Sequence, residues 1–206
     1  MGKRKYLTGA EVAALLHTIS EKQTSRRDWC MVYMAFIHGL RVSELTGLTL
    51  ADYDQLSQKL HIRRLKGGFS TTHPVLPEGQ HALRLWLQER SRSPSYQLPW
   101  LFLSSRGGRL SRQRIYTLIR EYSVMAGLSV EAHPHMLRHA CGYGLAERGN
   151  DTRLIQDYLG HKNIRHTVLY TASNAERFSG AWMQTSLPPP NGVLDAEATI
   201  PAMTHF

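Results

Sequence analysis

The run Cys30-Met-Val-Tyr-Met-Ala-Phe-Ile37 is apolar on most of its sides and stops just before Gly39. A surface helix carries a polar stripe; a helix without one has to be covered all round. The run therefore predicts a central buried helix, opened by Ser25-Arg-Arg-Asp28, with other elements packed about it. Suitable partners lie on both sides. Thr8-Gly-Ala-Glu11 reads as a capping box, and Val12, Leu15, Leu16 and Ile19 follow at helical spacing. A short helix is expected to carry Arg41-Val-Ser-Glu44-Leu45, and another after Pro77 presents Ala82, Leu83, Trp86 and Leu87. Ser111 caps a helix that runs through Ile115, Leu118, Ile119 and Tyr122 to Gly127. Pro134 suits the first turn of a helix ending near Arg148 and Gly149. Asp151 caps the next, as far as Gly160, and Asn163 caps one more.

Between these helices the pattern changes. Leu48 to Asp54, Lys59 to Leu65 and Thr71 to Leu76 have strand-like composition, and Gly67-Gly68 offers a turn between the last two. The expected fold is mainly α with a small antiparallel β-sheet, an α+β class, in one domain over residues 1–182. From Leu187 the chain reads Leu-Pro-Pro-Pro-Asn-Gly, so residues 183–206 read as a flexible, Pro-containing tail.

Charge narrows the partners. There are 25 Lys and Arg against 16 Asp and Glu; every Lys and Arg precedes Met183, whereas Asp195 and Glu197 follow it. A basic excess confined to the folded part points to a polyanion, most simply nucleic acid. No stretch approaches the ~20 apolar residues that span a bilayer, and no apolar core follows the basic N-terminus. A cytoplasmic, nucleoid-associated protein is the expectation. Cys30 and Cys141, far apart in apolar patterns, read as reduced and buried. No P-loop and no convincing set of metal ligands is seen, so no cofactor is expected.

Three segments carry chemistry when taken together: Gly39-Leu-Arg41-Val-Ser-Glu44-Leu45, His135-Met-Leu-Arg138-His139, and Leu159-Gly-His161 with Tyr170 nine residues further on. His135 and Arg138 are three apart and share a helix face. Arginine matches phosphate oxygens through its fork of donors. A second guanidinium, such as that of Arg41, is costly to place nearby unless an anion lies between them. Tyrosine is a latent nucleophile whose pKa near 10 demands nearby positive charge and a proton acceptor. Singly, each feature has an ordinary reading: a solvated arginine, a core histidine or aromatic, a helix C-cap at Gly160 followed by a favourable cation.

In order and local context these segments resemble the tyrosine recombinase (phage integrase, Xer-type) family, with its GLRxSEL-like segment, HxLRH box, LGH segment and following tyrosine. The likeness runs from about residue 8 to residue 182. The resemblance implies that Arg41 and Arg138 grip a scissile phosphate, His135 serves in proton transfer, His161 hydrogen-bonds the phosphate, and Tyr170 is the nucleophile. Glu44 matches an acidic position that supports the pocket. Lys66, in Arg64-Leu-Lys66-Gly-Gly68, fits the family's β-hairpin lysine, the general acid at the leaving 5′ oxygen. Only about seven residues precede the first expected helix, where most family members carry a DNA-clamping domain. This compact form looks like the recombinases that invert a promoter segment to switch fimbrial genes, as do the Lys66-Gly-Gly-Phe-Ser-Thr-Thr-His-Pro stretch and the Tyr170-Thr-Ala-Ser-Asn174 ending.

The implied function is site-specific recombination through a 3′-phosphotyrosine intermediate, without ATP or metal. The implied partners are double-stranded DNA with inverted-repeat sites, a homotetramer on paired sites, and DNA-bending accessory proteins. Arg63, Arg64, Arg106, Arg109, Arg112 and Arg114 are candidates for holding the duplex backbone. Two other readings use the same residues. A type IB topoisomerase-like enzyme would nick and reseal one strand, and a non-catalytic DNA-binding regulator would keep the basic surface but typically lose the tyrosine or an arginine.

Overall fold

A computed structural model describes residues 4–22, 26–64 and 69–172. Helix α1 (Gly9–Ser20) opens on the capping box, with the Thr8 side chain accepting from the Glu11 N–H and the Glu11 carboxylate accepting from the Thr8 N–H. The apolar run lies on α2 (Arg26–Ile37), where Cys30 to Ala35 are all buried. Helices α1, α4 (Pro77–Arg90) and α6 (Pro134–Glu147) surround it. Its N-terminal capping position, Ser25, lies outside the described residues. Helix α5 (Arg112–Met125) is capped by the Ser111 hydroxyl, and Ile115, Leu118, Ile119 and Tyr122 complete the core. Cys30 and Cys141 are buried free thiols.

Short helix α3 (Val42–Gly47) leads into three antiparallel strands, β1 (Tyr53–Asp54), β2 (Lys59–Ile62) and β3 (Thr71–Pro74), in that order. Leu60 pairs with Tyr53 on one side and His73 on the other. Leu60 and Ile62 face inward while Lys59 and His61 face water, the alternation of a half-buried strand. The sheet is shorter than its composition suggests. Only Tyr53 and Asp54 of the stretch from Leu48 pair as strand, because Leu50–Asp52 form a 3-10 turn. The Asp52 carboxylate holds that turn by accepting from the Thr49 N–H (2.8 Å) and hydroxyl (2.7 Å). Asp and Thr prefer such local hydrogen bonds to a ladder. The expected hairpin turn, Lys66 included, lies outside the described residues, as does the tail.

The C-terminal half places the site. Helix α7 (Thr152–Leu159) is capped by the Asp151 carboxylate and stopped by Gly160 at φ 63°. The Asn163 side chain accepts from the Arg165 N–H at 2.9 Å where α8 (Arg165–Ala172) begins. Cys141, Ala146, Ile155, Leu159 and Tyr170 form a second, smaller apolar cluster where α6, α7 and α8 meet. No helix among the described residues is long and apolar enough to cross a membrane.

Candidate active site

The GLR segment and the HxLRH box meet beneath one carboxylate. Arg41 sits at the N-cap of α3, and its backbone N–H donates to Glu44 Oε2 (2.9 Å) while its guanidinium donates to Oε1 (2.7 Å). Arg138, on α6, is only 5% exposed. It donates to the Gly39 carbonyl and, at 2.7 Å, to the Leu159 carbonyl, and lies 3.9 Å from Glu44. The Leu159 carbonyl ends α7, where the helix dipole favours a cation, and Gly39 lies just beyond α2. Burial would raise the Glu44 pKa, but Arg64, Arg41 and Arg138 hold it below the usual carboxylate value. Burial, with Arg41 and Arg64 nearby, pulls Arg138 down to about 10. Three guanidinium groups therefore surround one carboxylate, leaving an excess of positive charge at a place that is half closed to water.

His161 follows the α7 C-cap, and its Nδ1 lies 2.9 Å from the Thr167 hydroxyl. Burial and the charge of Arg138 push its pKa down to about 3, so the ring is neutral at pH 7. It stacks toward Tyr170, with ring centroids 6.3 Å apart. Tyr170, on α8, is 2% exposed, and its ring rests on Gly142. Burial raises the phenol to about 12, although Arg138 pulls the other way. His135 stands exposed in the first turn of α6. The imidazole hydrogen-bonded to the Tyr170 hydroxyl is instead that of His139, with Nδ1 at 3.0 Å. Burial and the charges of His135 and Arg138 lower the His139 pKa. A neutral ring protonated on Nε2 can accept the phenol proton at Nδ1. His139 was visible as the last residue of the HxLRH box; its spacing from Arg138 gave no reason to assign it a role. Lys66 lies outside the described residues.

The arginines expected on the duplex divide. Arg64 is a correction: its side chain is fully buried, and it donates to Glu44 (2.9 Å) and to the Tyr158 carbonyl (2.6 Å). It lies two residues past the end of β2, where the inward-outward alternation of Leu60 and Ile62 continues and turns it inward. Arg63, one residue earlier, is exposed and pairs with Asp52 at 2.8 Å. Arg109 donates to the Thr46 carbonyl (2.7 Å) and hydroxyl (3.0 Å) and lies over Trp100, bracing α3 as well as reaching the surface. Arg106, Arg112 and Arg114 are exposed, the last 3.6 Å from Glu121. Among the described residues no group of three or more His, Cys, Asp or Glu side chains could hold a metal ion.

A buried phenol lies beside surplus guanidinium charge and neutral imidazoles, a set of groups able to hold an anion and to take up a proton. Comparison with known proteins gives the family. Residues 5–177 match the model of the phage integrase family. The type 1 fimbriae regulatory protein FimE of Escherichia coli K12 is 52% identical over 188 residues, covering 91% of this chain and 95% of FimE. The crystal structure of XerA recombinase superposes with a TM-score of 0.75 at 28% identity, over 87% of this chain and 64% of that one. The XerH site-specific recombinase bound to its difH substrate shares the fold, with a TM-score of 0.73 at 24% identity over 88% of this chain and 54% of that one. The chain belongs to the phage integrase family and is a tyrosine-type site-specific recombinase.

Proposed function

We propose that this recombinase cleaves and rejoins DNA through Tyr170 and that it inverts a promoter segment between inverted repeats, setting fimbrial genes on or off. The observation that carries the reading is the group of three guanidiniums around Glu44, beside Tyr170 and His161. A scissile phosphate supplies the anion that this excess of charge calls for. The 52% identity with a fimbriae regulatory protein over nearly its whole length supports the choice of genes.

Tyr170 Oη attacks the phosphorus in line. The Oη–P bond forms, the P–O5′ bond breaks, and a 3′-phosphotyrosyl linkage and a free 5′-hydroxyl result. Arg41, Arg138 and His161 stabilise charge on the phosphoryl oxygens, usually the largest single contribution to such a rate. The phenolic proton passes to a histidine, with His135 in that role from the resemblance and His139 already in contact with the phenol. Lys66 gives a proton to the leaving 5′ oxygen. The reverse steps, with the 5′-hydroxyl of the partner strand, reseal the duplex, so the bond energy is conserved without a nucleotide. Exchange of both strands calls for four protomers on two sites, with DNA-bending proteins bringing the sites together.

A suicide-substrate assay tests the reading. Wild type and Tyr170→Phe are mixed with nicked duplexes carrying the inverted repeats that flank the gene. A covalent protein–DNA band with wild type, absent in the variant, is expected. Tight binding with no band from any flanking DNA would make the protein a regulator that only binds, and a band that survives in Tyr170→Phe would mean that another residue is the nucleophile.

A further inference from the structure

Arg64 and Arg138 both reach the chain at the ends of α2 and α7. Arg138 donates to the carbonyls of Gly39 and Leu159. Arg64 donates to the carbonyls immediately preceding these, His38 at 3.4 Å and Tyr158 at 2.6 Å. Both approach Glu44 Oε2. The chain leaves one of these ends for Arg41 and the other for His161, so the two guanidiniums together fix the spacing of those side chains. The packing is close. A Cβ on Gly160 would lie 2.8 Å from Arg64 Cγ, so the LGH glycine both adopts φ +63° and leaves room for this side chain. Neutralising Glu44 does not require Arg64, since Arg41 already pairs with that carboxylate at 2.7 Å. Nor is a buried ion pair, as a rule, an efficient source of stability.

We infer that Arg64 is a positioning residue of the phosphate pocket: by spanning the C-terminal ends of α2 and α7 it holds Arg41 and His161 at the separation that grips the scissile phosphate. It touches no DNA itself. The inference rests on the phosphotyrosine reading above and extends it to a residue two positions before Lys66.

The experiment compares wild type, Arg64→Met and Arg64→Lys in single-turnover cleavage of the nicked duplex at saturating DNA. One substrate carries an ordinary scissile phosphate, the other a neutral methylphosphonate at that position. A lysine keeps the charge opposite Glu44 but cannot fork to both carbonyls. Both variants are expected to bind the duplex like wild type and to cleave the phosphate about 100-fold more slowly, the loss typical of one misplaced oxyanion donor. With the methylphosphonate the gap to wild type should narrow, because less charge has to be gathered on the oxygens. If Arg64→Met does not fold, Arg64→Lys and Gly160→Ala carry the same test, the latter displacing the arginine without replacing it. Wild-type rates in Arg64→Lys would reduce Arg64 to a counter-charge and overturn the inference, as would equal losses on the two substrates. Absence of any covalent product with wild type would instead sink the phosphotyrosine reading.

Discussion

The hydroxyl of Tyr170 lies 3.0 Å from Nδ1 of His139, thirty-one residues earlier on α6. The proposed nucleophile is thus held by the neighbour of Arg138, out of water and as a neutral phenol. Attack needs that proton removed, and a neutral imidazole within hydrogen-bond reach is placed to take it.

Breaking that hydrogen bond should have a measurable cost to folding. His139→Ala leaves the Tyr170 hydroxyl without its partner in a buried place, and Tyr170→Phe leaves the His139 nitrogen without its own. Each is expected to lower stability by about 1–3 kcal/mol, the cost of an unsatisfied buried polar group. The double variant should lose less than the sum of the single losses, by about 1 kcal/mol, if the two groups act on each other. Urea denaturation of the four proteins closes the cycle. Additive losses would mean that the 3.0 Å pair contributes nothing in solution.

Gly142 faces the same phenol. A Cβ there would stand 2.7 Å from Cε2 and Cζ of Tyr170, closer than carbon atoms approach. Alanine is the better helix former by about 1 kcal/mol, so Gly142→Ala keeps α6 but pushes the tyrosine ring away. Duplex binding should be unchanged while formation of the covalent complex falls by at least about 10-fold, the sensitivity expected of a nucleophile displaced by a fraction of an ångström. A gel-shift titration beside the suicide-substrate assay separates the two effects. Wild-type cleavage by this variant would mean that the ring leaves Gly142 before it reacts.

Among the described residues, Glu44 is the one acidic side chain that meets Arg41, Arg64 and Arg138. Glu44→Gln keeps the shape but leaves buried guanidiniums uncompensated, a change expected to cost about 3–5 kcal/mol. An anion in the pocket should give part of this back. Sulfate is therefore expected to raise the melting midpoint of Glu44→Gln more than that of wild type, by binding the folded state alone. Equal sulfate responses would place the anion elsewhere.

Much of this arrangement was legible in the sequence for local reasons. The Thr8 box, the Ser111 and Asp151 caps and the Gly160 stop are settled within a turn of helix, so their residue types announce them. The side chains brought together around Glu44 were named in advance because their segments resemble those of a known family, not because spacing alone joins residues 41, 138 and 161. What could not be seen depends on tertiary position. Arg63 and Arg64 are adjacent and chemically identical, yet one pairs at the surface and the other is buried against Glu44. Only the side that the chain turns to the core as it continues beyond β2 decides between them. His139 escaped for the same reason, since its partner is supplied by α8. The strand expected from Leu48 gave way to a 3-10 turn because Asp52 finds its hydrogen bonds within three residues.

Acid should unfold this protein earlier than its carboxylates alone would require. His38, at the end of α2, and His73, on β3, are buried with their Nδ1 atoms 3.3 Å apart, a geometry that needs one ring to donate and the other to accept. Burial first, then the charge of Arg64, takes His38 from 6.5 down to about 3. Burial, with His38 and Arg64 beside it, does the same to His73. His161 is lowered as far, by burial and Arg138. In the unfolded chain these rings take up protons as the pH falls through about 6.5, whereas in the folded chain they do so only near 3. Their contribution to stability is therefore intact above the unfolded value and is lost progressively on the way down to the folded one. Each unit of pH in that window costs up to about 1.4 kcal/mol per histidine. The carboxylates act later: Glu44, held below its ordinary 4.5, surrenders its contribution only as the pH drops past that value. The urea midpoint should accordingly be level from about pH 8 to about pH 7 and fall steeply between about pH 6 and pH 5, where only histidines titrate. His73→Gln, which can still hydrogen-bond to His38 but takes up no proton, should start from a lower midpoint and show a shallower fall. A wild-type midpoint that stays level down to pH 5 would mean that these rings are not buried as neutral groups in solution.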